Sequence, residues 1–198
     1  MMNDDKVNKK RRRLVTITAV AGGAATVASA VPFVASMMPS ERAKAAGAPV
    51  EYDASKVTPG QMDIVKWRGQ PVWVVRRTKE MLESLPQMNP KVSDPSCRNK
   101  LQPAYCTAPY RSIKPELLVV VGICSHLGCS PVKKFEPGEA SGLGADWLGG
   151  FYCPCHGSKF DLAGRVLKNQ PAPFNLTVPP HQYLTDDQLL IGEDKKEA

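Results

Sequence analysis

CSHLGC at residues 124–129 and CPCHGS at residues 153–158 are the two segments that decide the fold of this chain, and we call them the first and second box. Each box holds a histidine within three residues of a cysteine. Thiolate and imidazole groups are common ligands of transition metals, so two loops that each present one Cys and one His predict a metal centre. The candidate ligands are Cys124, His126, Cys153 and His156.

Two kinds of centre fit these four ligands. A structural zinc ion would use two Cys and two His, but it would leave Cys129 and Cys155 without a role. Zinc also does not explain why both boxes are rich in Gly, Pro and Ser. The alternative is one 2Fe-2S cluster in which two thiolates hold one iron and two imidazoles hold the other. Neutral imidazoles make such a cluster less negative and easier to reduce, and we favour this centre.

The first 40 residues have the charge pattern of a membrane-anchored or exported chain. Residues 1–13 contain six Lys or Arg and two Asp, and so carry about +4 of the net charge of +7. Residues 14–40 contain no charged residue, and about 20 apolar residues span a bilayer as a helix. The basic flank argues against a buried helix of a soluble domain. We favour a transmembrane anchor at residues 14–39, while a cleaved export signal that ends near residues 43–45 stays open.

The charge pattern also predicts the topology. By the positive-inside rule, the tail of residues 1–13 is cytoplasmic and the rest of this single-pass chain lies in the periplasm, on the far side of a bacterial inner membrane. RRRLV at residues 11–15 resembles a twin-arginine export signal, a route that carries folded proteins with their cofactors. Residues 40–50 are small and Ala-rich, which predicts a flexible hinge, with a passive spacer as the alternative. The remaining sequence is only mildly basic, so no nucleic-acid binding is expected.

The sequence after the hinge predicts a mainly β, antiparallel domain, because 18 Pro and 15 Gly separate many short apolar segments. One short helix is expected at residues 79–85, ended by Pro86. The continuous apolar run before the first box predicts a buried strand. Strands are expected at Met62–Trp67, Val72–Val75, Leu117–Ile123, Phe151–Tyr152, Gly164–Leu167, Leu176–Val178 and Gln188–Ile191.

With these features the sequence resembles the Rieske iron–sulfur subunits of bacterial cytochrome bc complexes, the ubiquinol–cytochrome c reductases. The resemblance extends over nearly the whole chain, including WRGQPV at residues 67–72, both boxes, and Pro171-Ala172-Pro173 with Asn175-Leu176 after them. It implies an antiparallel Rieske-type β domain at residues 51–198, with a cluster-binding subdomain at about 122–175, preceded by one N-terminal transmembrane helix.

The resemblance implies a role for each residue of the boxes. Two cysteines would hold the inner iron and two histidines the outer one, namely Cys124 and Cys153, and His126 and His156. Cys129 would pair with Cys155 in a disulfide, which needs the oxidising compartment that the charge pattern indicates independently. Ser158 would donate a hydrogen bond to a bridging sulfide, and residues 171–173 would cover the cluster.

The resemblance also implies the activity. Such a subunit accepts one electron from quinol and passes it to a c-type cytochrome, as part of a membrane oxidoreductase and translocase. Its expected partners are cytochrome b and c-type cytochrome subunits in a dimeric complex. His156, with His126 beside it, is the expected catalytic residue that takes up a proton with the electron, so the potential should fall at alkaline pH. The alternative is the Rieske small subunit of another periplasmic oxidoreductase such as arsenite oxidase.

A few residues stand apart from the family pattern. Phe160 occupies a position where many high-potential members have a tyrosine that donates to a ligating sulfur, so we expect a lower potential than theirs. Cys97 and Cys106 lie outside the boxes, and we expect a second disulfide between them, with free thiols or a link to a partner subunit as alternatives. His181 is expected on the surface, and no chemistry is assigned to residues 136–147.

Overall fold

A computed structural model describes residues 9–40, 43, 45 and 47–194. The chain divides into two units, Met1–Ala45 and Ala46–Ala198. Parts of two predicted segments, residues 1–8 of the tail and residues 41, 42, 44 and 46 of the hinge, lie outside the described residues.

The first unit contains helix α1 (Lys9–Ser36), which is long and apolar enough to cross a membrane and continues through Pro32. It begins within the basic tail, five residues before the predicted start of the anchor. Its hydroxyl groups donate to backbone carbonyls three or four residues earlier, so none of these donors would be left unpaired in lipid. The side chains that do this are Thr16, Thr18, Thr26, Ser29 and Ser36.

The second unit is a β domain in which every strand pair is antiparallel. Its helices are α2 (Lys79–Gln87) and two 3-10 turns, Ala54–Lys56 and Gly138–Ser141. Its strands are β1 (Val50–Asp53), β2 (Met62–Trp67), β3 (Gln70–Arg76), β4 (Leu117–Val121), β5 (Val132–Lys134), β6 (Gly150–Tyr152), β7 (Lys159–Asp161), β8 (His181–Tyr183) and β9 (Gln188–Ile191).

The strands form three sheets of three, with orders β1-β9-β8, β2-β3-β4 and β5-β6-β7. In the second sheet, β4 and residues 72–75 of β3 are buried on both faces. Val72 and Val74 of β3 pack into a core with Leu189 and Ile191 of the first sheet, whereas Trp73 between them packs with residues of the third sheet. This alternation places β3 and β4 in the middle of the domain and explains why β4 and residues 72–75 of β3 are continuously apolar.

The expected antiparallel β domain is confirmed, and so are the β2–β3 hairpin and strand β4. The expected end of the short helix was wrong, because α2 continues through Pro86 to Gln87 and its last turn is closed by bonds from the Met88 N–H to Ser84 and Leu85. The strands expected at residues 164–167 and 176–178 were also wrong, because these extended segments make only isolated bridges or single hydrogen bonds.

Candidate metal centre

The first box follows directly from the buried strand β4. Gly122 lies between the end of β4 and the first box, and its N–H donates to the carbonyl of Pro71 at 2.8 Å. A Cβ at this position would lie 2.1 Å from the ring of Trp73, so no other residue fits without displacing that ring. Trp73 in turn stacks on Phe151 of β6 at 4.9 Å between ring centroids. Trp73 of β3 therefore lies between Gly122, which leads into the first box, and β6, which leads into the second.

The two boxes fold into the same loop. In the first box the Cys124 N–H donates to the carbonyl five residues later, and the Gly128 N–H donates back to the Cys124 carbonyl. In the second box Cys153 and Gly157 make the same pair of bonds. The two glycines have φ values of 83° and 79°, a left-handed conformation that favours glycine. Each loop therefore holds its first cysteine at the base and points its middle residues outward.

A disulfide between Cys129 and Cys155 joins the two loops, with Cα atoms 6.7 Å apart. The pair implied by the family resemblance is therefore confirmed. The sulfur of Cys153 lies within 4.8 Å of both sulfurs of this bond. The disulfide thus braces the loops beside one of the candidate ligands.

The other two box cysteines, Cys124 and Cys153, are buried free thiols. Burial raises the pKa of the Cys124 thiol and the neighbouring Cys153 raises it further, whereas hydrogen bonds from the His126 backbone N–H and the Ser158 hydroxyl lower it. Two adjacent buried thiols ionise together only where a cation shares their charge, so this pair fits a metal site.

The two box histidines lie together as well. The imidazole rings of His126 and His156 meet edge to face at 4.6 Å between centroids. Nδ1 of His126 is buried without a hydrogen-bond partner, one of two such side-chain atoms among the described residues; the other is Nε1 of Trp67. Buried polar atoms are normally paired, so this free lone pair fits a metal ligand. One pair of thiols in contact and one pair of imidazoles in contact, presented by two loops that a disulfide joins, make up the donor set of a Rieske-type 2Fe-2S cluster.

Comparisons with known proteins agree with this donor set. A family model described as the Rieske [2Fe-2S] domain matches residues 49–180, and one described as the ubiquitinol-cytochrome C reductase Fe-S subunit TAT signal matches residues 1–40. Over its whole length the chain is 58% identical to the ubiquinol–cytochrome c reductase iron–sulfur subunit of Allochromatium vinosum, of which it covers 95%. The chain belongs to this family of Rieske subunits.

Other relatives have the same description. The chain is 39% identical to the ubiquinol–cytochrome c reductase iron–sulfur subunit of Blastochloris viridis, over 97% of this chain and 98% of that one. A chain from a solved hyperthermophilic respiratory Complex III is 26% identical, with a TM-score of 0.46. The match covers 88% of this chain and 98% of that one. The curated relatives support a reductase subunit over the arsenite oxidase alternative. This Rieske subunit is an electron-transfer component of an oxidoreductase.

Hydrogen bonds join both boxes of the Rieske subunit to residues 172–174, at the end of the proline segment. Ser158 is fully buried, and its hydroxyl accepts a hydrogen bond from the Ala172 N–H at 3.0 Å. Ser125 of the first box donates to the Phe174 carbonyl at 2.6 Å and accepts from the Phe174 N–H at 3.2 Å. The role of Ser125 was not predicted, because a serine in a loop gives no sign in the sequence of which backbone it will contact.

The expected second disulfide is not formed in this structure. Cys97 and Cys106 are buried free thiols. The sulfur of Cys97 lies 3.8 Å from Nδ2 of Asn175 instead. Burial raises the pKa of both thiols, to about 12 for Cys106, and the nearby guanidinium of Arg111 partly opposes this shift for each. The two cysteines therefore act as small apolar side chains in this structure.

The expected surface position of His181 was wrong. This residue begins β8 and is buried, with Nδ1 2.9 Å from the Pro179 carbonyl. Burial lowers its pKa, so the ring is neutral near neutral pH.

The segment of residues 136–147 is bound by side chains from outside it. Three lysines donate hydrogen bonds to its backbone carbonyls: Lys91, Lys134 and Lys159.

Proposed function

We propose that Cys124 and Cys153 hold one iron of a single 2Fe-2S cluster and that His126 and His156 hold the other. The observation that carries this proposal is the pairing of two buried thiols with two imidazoles 4.6 Å apart, one of which has a buried, unpartnered Nδ1. The Ser158 hydroxyl, already at the Cys124 sulfur, is placed to donate to a cluster sulfide. A bound cluster supplies reversible one-electron transfer at a raised potential.

His156 and His126 are the proposed catalytic residues. The side chain of His156 is exposed and that of His126 is half-buried, so His156 is the better placed to meet a substrate. Its imidazole nitrogen that is not bound to iron accepts the hydrogen bond and then the proton of a quinol hydroxyl. Leu127 is 70% exposed next to these rings and offers apolar surface for docking on cytochrome b.

The same proposal includes the partners and the topology. Relatives of this chain belong to ubiquinol–cytochrome c reductases, so cytochrome b and a c-type cytochrome are its partners in a dimeric complex. The basic residues 1–13 stay in the cytoplasm and residues 14–39 form the single anchor. Residues 40–50 are the hinge. The Rieske domain of residues 51–198 then lies in the periplasm, with its cluster-binding part at about 122–175, which includes the whole β5-β6-β7 sheet.

The test is a redox titration of the full chain in membranes as a function of pH. If a histidine ligand releases its proton from the oxidised centre, the midpoint potential falls between neutrality and about pH 10, approaching about 59 mV per pH unit for one proton per electron. A potential that stays constant over this range would contradict the proposal.

The chain offers a matched control, since it has three histidines. His181 is buried away from solvent and its Nδ1 is already engaged by the Pro179 carbonyl. The variant His181→Gln should keep the full pH dependence of the potential. Loss of the dependence in that variant would show that the box histidines are not the titrating ligands. Co-purification with b- and c-type haems tests the partners separately.

A further inference from the structure

Three buried arginines surround the chain segment that follows the second box. Arg77, Arg111 and Arg165 are 3%, 0% and 0% exposed. They come from three separate places in the sequence, after β3, before β4 and after β7. Arginine is rarely buried without a partner, because removing its charge from water is costly. The partners of these three buried guanidinium groups therefore decide how much positive charge remains in the interior.

All three guanidinium groups contact residues 161–165. Arg77 donates to the Leu162 carbonyl at 3.1 Å and Arg111 donates to the Ala163 carbonyl at 2.8 Å. Arg165 forms an ion pair with Asp161 at 2.7 Å, and both side chains are buried. This segment begins three residues after Ser158 at the end of the second box.

The charges at this place do not cancel. Asp161 neutralises Arg165. The hydrogen bonds of Arg111 all go to uncharged oxygens, those of Gln102, Ala163 and Leu176. Arg77 also bonds only uncharged oxygens; the carboxylate of Asp161 acts at longer range on both Arg77 and Arg111, and the exposed Glu116 acts on Arg77. Within the part of the chain that the structure describes, Arg111 makes no ion pair.

Buried neighbours link Arg111 to the cluster of side chains that contains the proposed cysteine ligands. Its Nη1 is 3.3 Å from where a Cβ on Gly164 would lie, and the same point is 3.4 Å from a methyl group of Val120. Val120 and Leu176 pack in one buried cluster with Cys124 and Cys153. Because these side chains are apolar and buried, the electric field of the guanidinium is weakly screened among them.

We propose that Arg111 helps to set the reduction potential of the Rieske centre, as an unneutralised buried cation that favours the reduced state. Reduction adds one electron, and so one negative charge, at the ligands without forming or breaking a covalent bond in the protein. The buried positive charge therefore stabilises the product of that step more than its reactant. The inference rests on the proposed ligand set and goes beyond it, since Arg111 touches neither the boxes nor a substrate.

The experiment is a redox titration of full-length variants in membranes, followed by the electron paramagnetic resonance signal of the reduced cluster. Arg111→Gln removes the charge and should lower the equilibrium constant for reduction about tenfold, or about 59 mV for one electron. Arg111→Lys keeps the charge and should retain most of the wild-type potential. Asp161→Asn removes the buried carboxylate that contacts Arg165 and should shift the potential upward.

The matched control is Arg98→Gln, since Arg98 is exposed in the same loop; it should leave the potential unchanged. The Arg111→Gln shift should also persist at high salt, as expected for a buried charge. Equal shifts in Arg111→Lys and Arg111→Gln, or shifts of one sign in Arg111→Gln and Asp161→Asn, would assign the effect to lost packing and overturn the inference.

Further outcomes distinguish a change in potential from a failure to fold or to bind the cluster. Should Arg111→Gln fail to hold the cluster, Arg77→Gln removes a second buried cation with its own set of bonds, and its potential should also fall. Loss of the signal in both neutral variants would assign the arginines to folding alone and reject the inference. Absence of a Rieske signal from the wild-type chain would instead contradict the proposed ligand set.

Discussion

Phe160 forms part of the apolar base of the site. It is fully buried, its backbone pairs with Phe151 across β6 and β7, and its side chain packs in the cluster that contains Cys124 and Cys153. An aromatic ring there fills space without offering a hydrogen-bond donor. A hydrogen bond aimed at a ligating sulfur stabilises the more negative, reduced centre, and Phe160 cannot make one.

We expect Phe160→Tyr to raise the midpoint potential. If the new hydroxyl stabilises the reduced state by ~1 kcal/mol, the shift is on the order of 40 mV for one electron. Redox titration of the variant in membranes measures it. Phe135→Tyr is the matched control, because Phe135 packs against Phe151 from the edge of the same cluster and should leave the potential unchanged. An unaltered or lower potential in Phe160→Tyr would refute the prediction.

At the scale of elements, the sequence predicts those strands whose burial is reflected in their composition. Strands β3 and β4 lie between two sheets, so β4 and residues 72–75 of β3 are apolar and could be recognised. Strands β5 and β7 are three residues long and contain lysine, which no pattern distinguishes from loop. The segment 164–167 has strand-like composition, but the Gly164 N–H closes a tight turn onto the Asp161 carbonyl.

The same distinction applies to the candidate site. The four proposed ligands could be selected from the sequence because Cys and His at this spacing, in two boxes, are typical of a metal centre. The buried arginines could not, because the sequence does not show which arginines have backbone carbonyls to bond. The expected pairing of Cys97 with Cys106 is not formed in this structure. Their separation in the sequence does not show where each side chain points, and the Cys97 sulfur faces Asn175.

The proposed hinge of residues 40–50 gives a prediction of its own. The boundary between the two units falls within it, between Ala45 and Ala46. Replacing residues 43–46 with proline restricts the backbone without adding charge, and should slow reduction of the c-type cytochrome several-fold while the cluster spectrum is unchanged. Glycine at the same four positions is the control and should keep full turnover. Full turnover in the proline variant would favour a passive spacer.

For the whole molecule, the N-terminal unit determines where the Rieske domain works. Helix α1 is long and apolar enough to cross a membrane, and the family model for a twin-arginine signal covers residues 1–40. Positive charge alone orients a membrane helix, whereas a twin-arginine signal requires arginine itself. These two contributions can be separated by substitution.

We expect the replacement of Arg11, Arg12 and Arg13 by lysine to keep the tail's charge and yet hold the cluster-containing domain in the cytoplasm. Protease added to spheroplasts measures this, since it should degrade the wild-type domain and spare that of the variant. A single Lys10→Arg change is the control and should be exported normally. Normal export of the triple variant would show that charge alone suffices.

The Cys129–Cys155 bond also has a place in time. In a reducing cytoplasm both residues would be thiols. In the folded chain their sulfurs lie within 4.8 Å of the Cys153 sulfur, close enough to compete with it for iron. If the chain crosses the membrane already folded around its cluster, these competitors are removed only afterwards, when the oxidising side joins them. The order of the two events would then fix the ligands: the cluster binds before export, and the disulfide forms only afterwards, on the oxidising side.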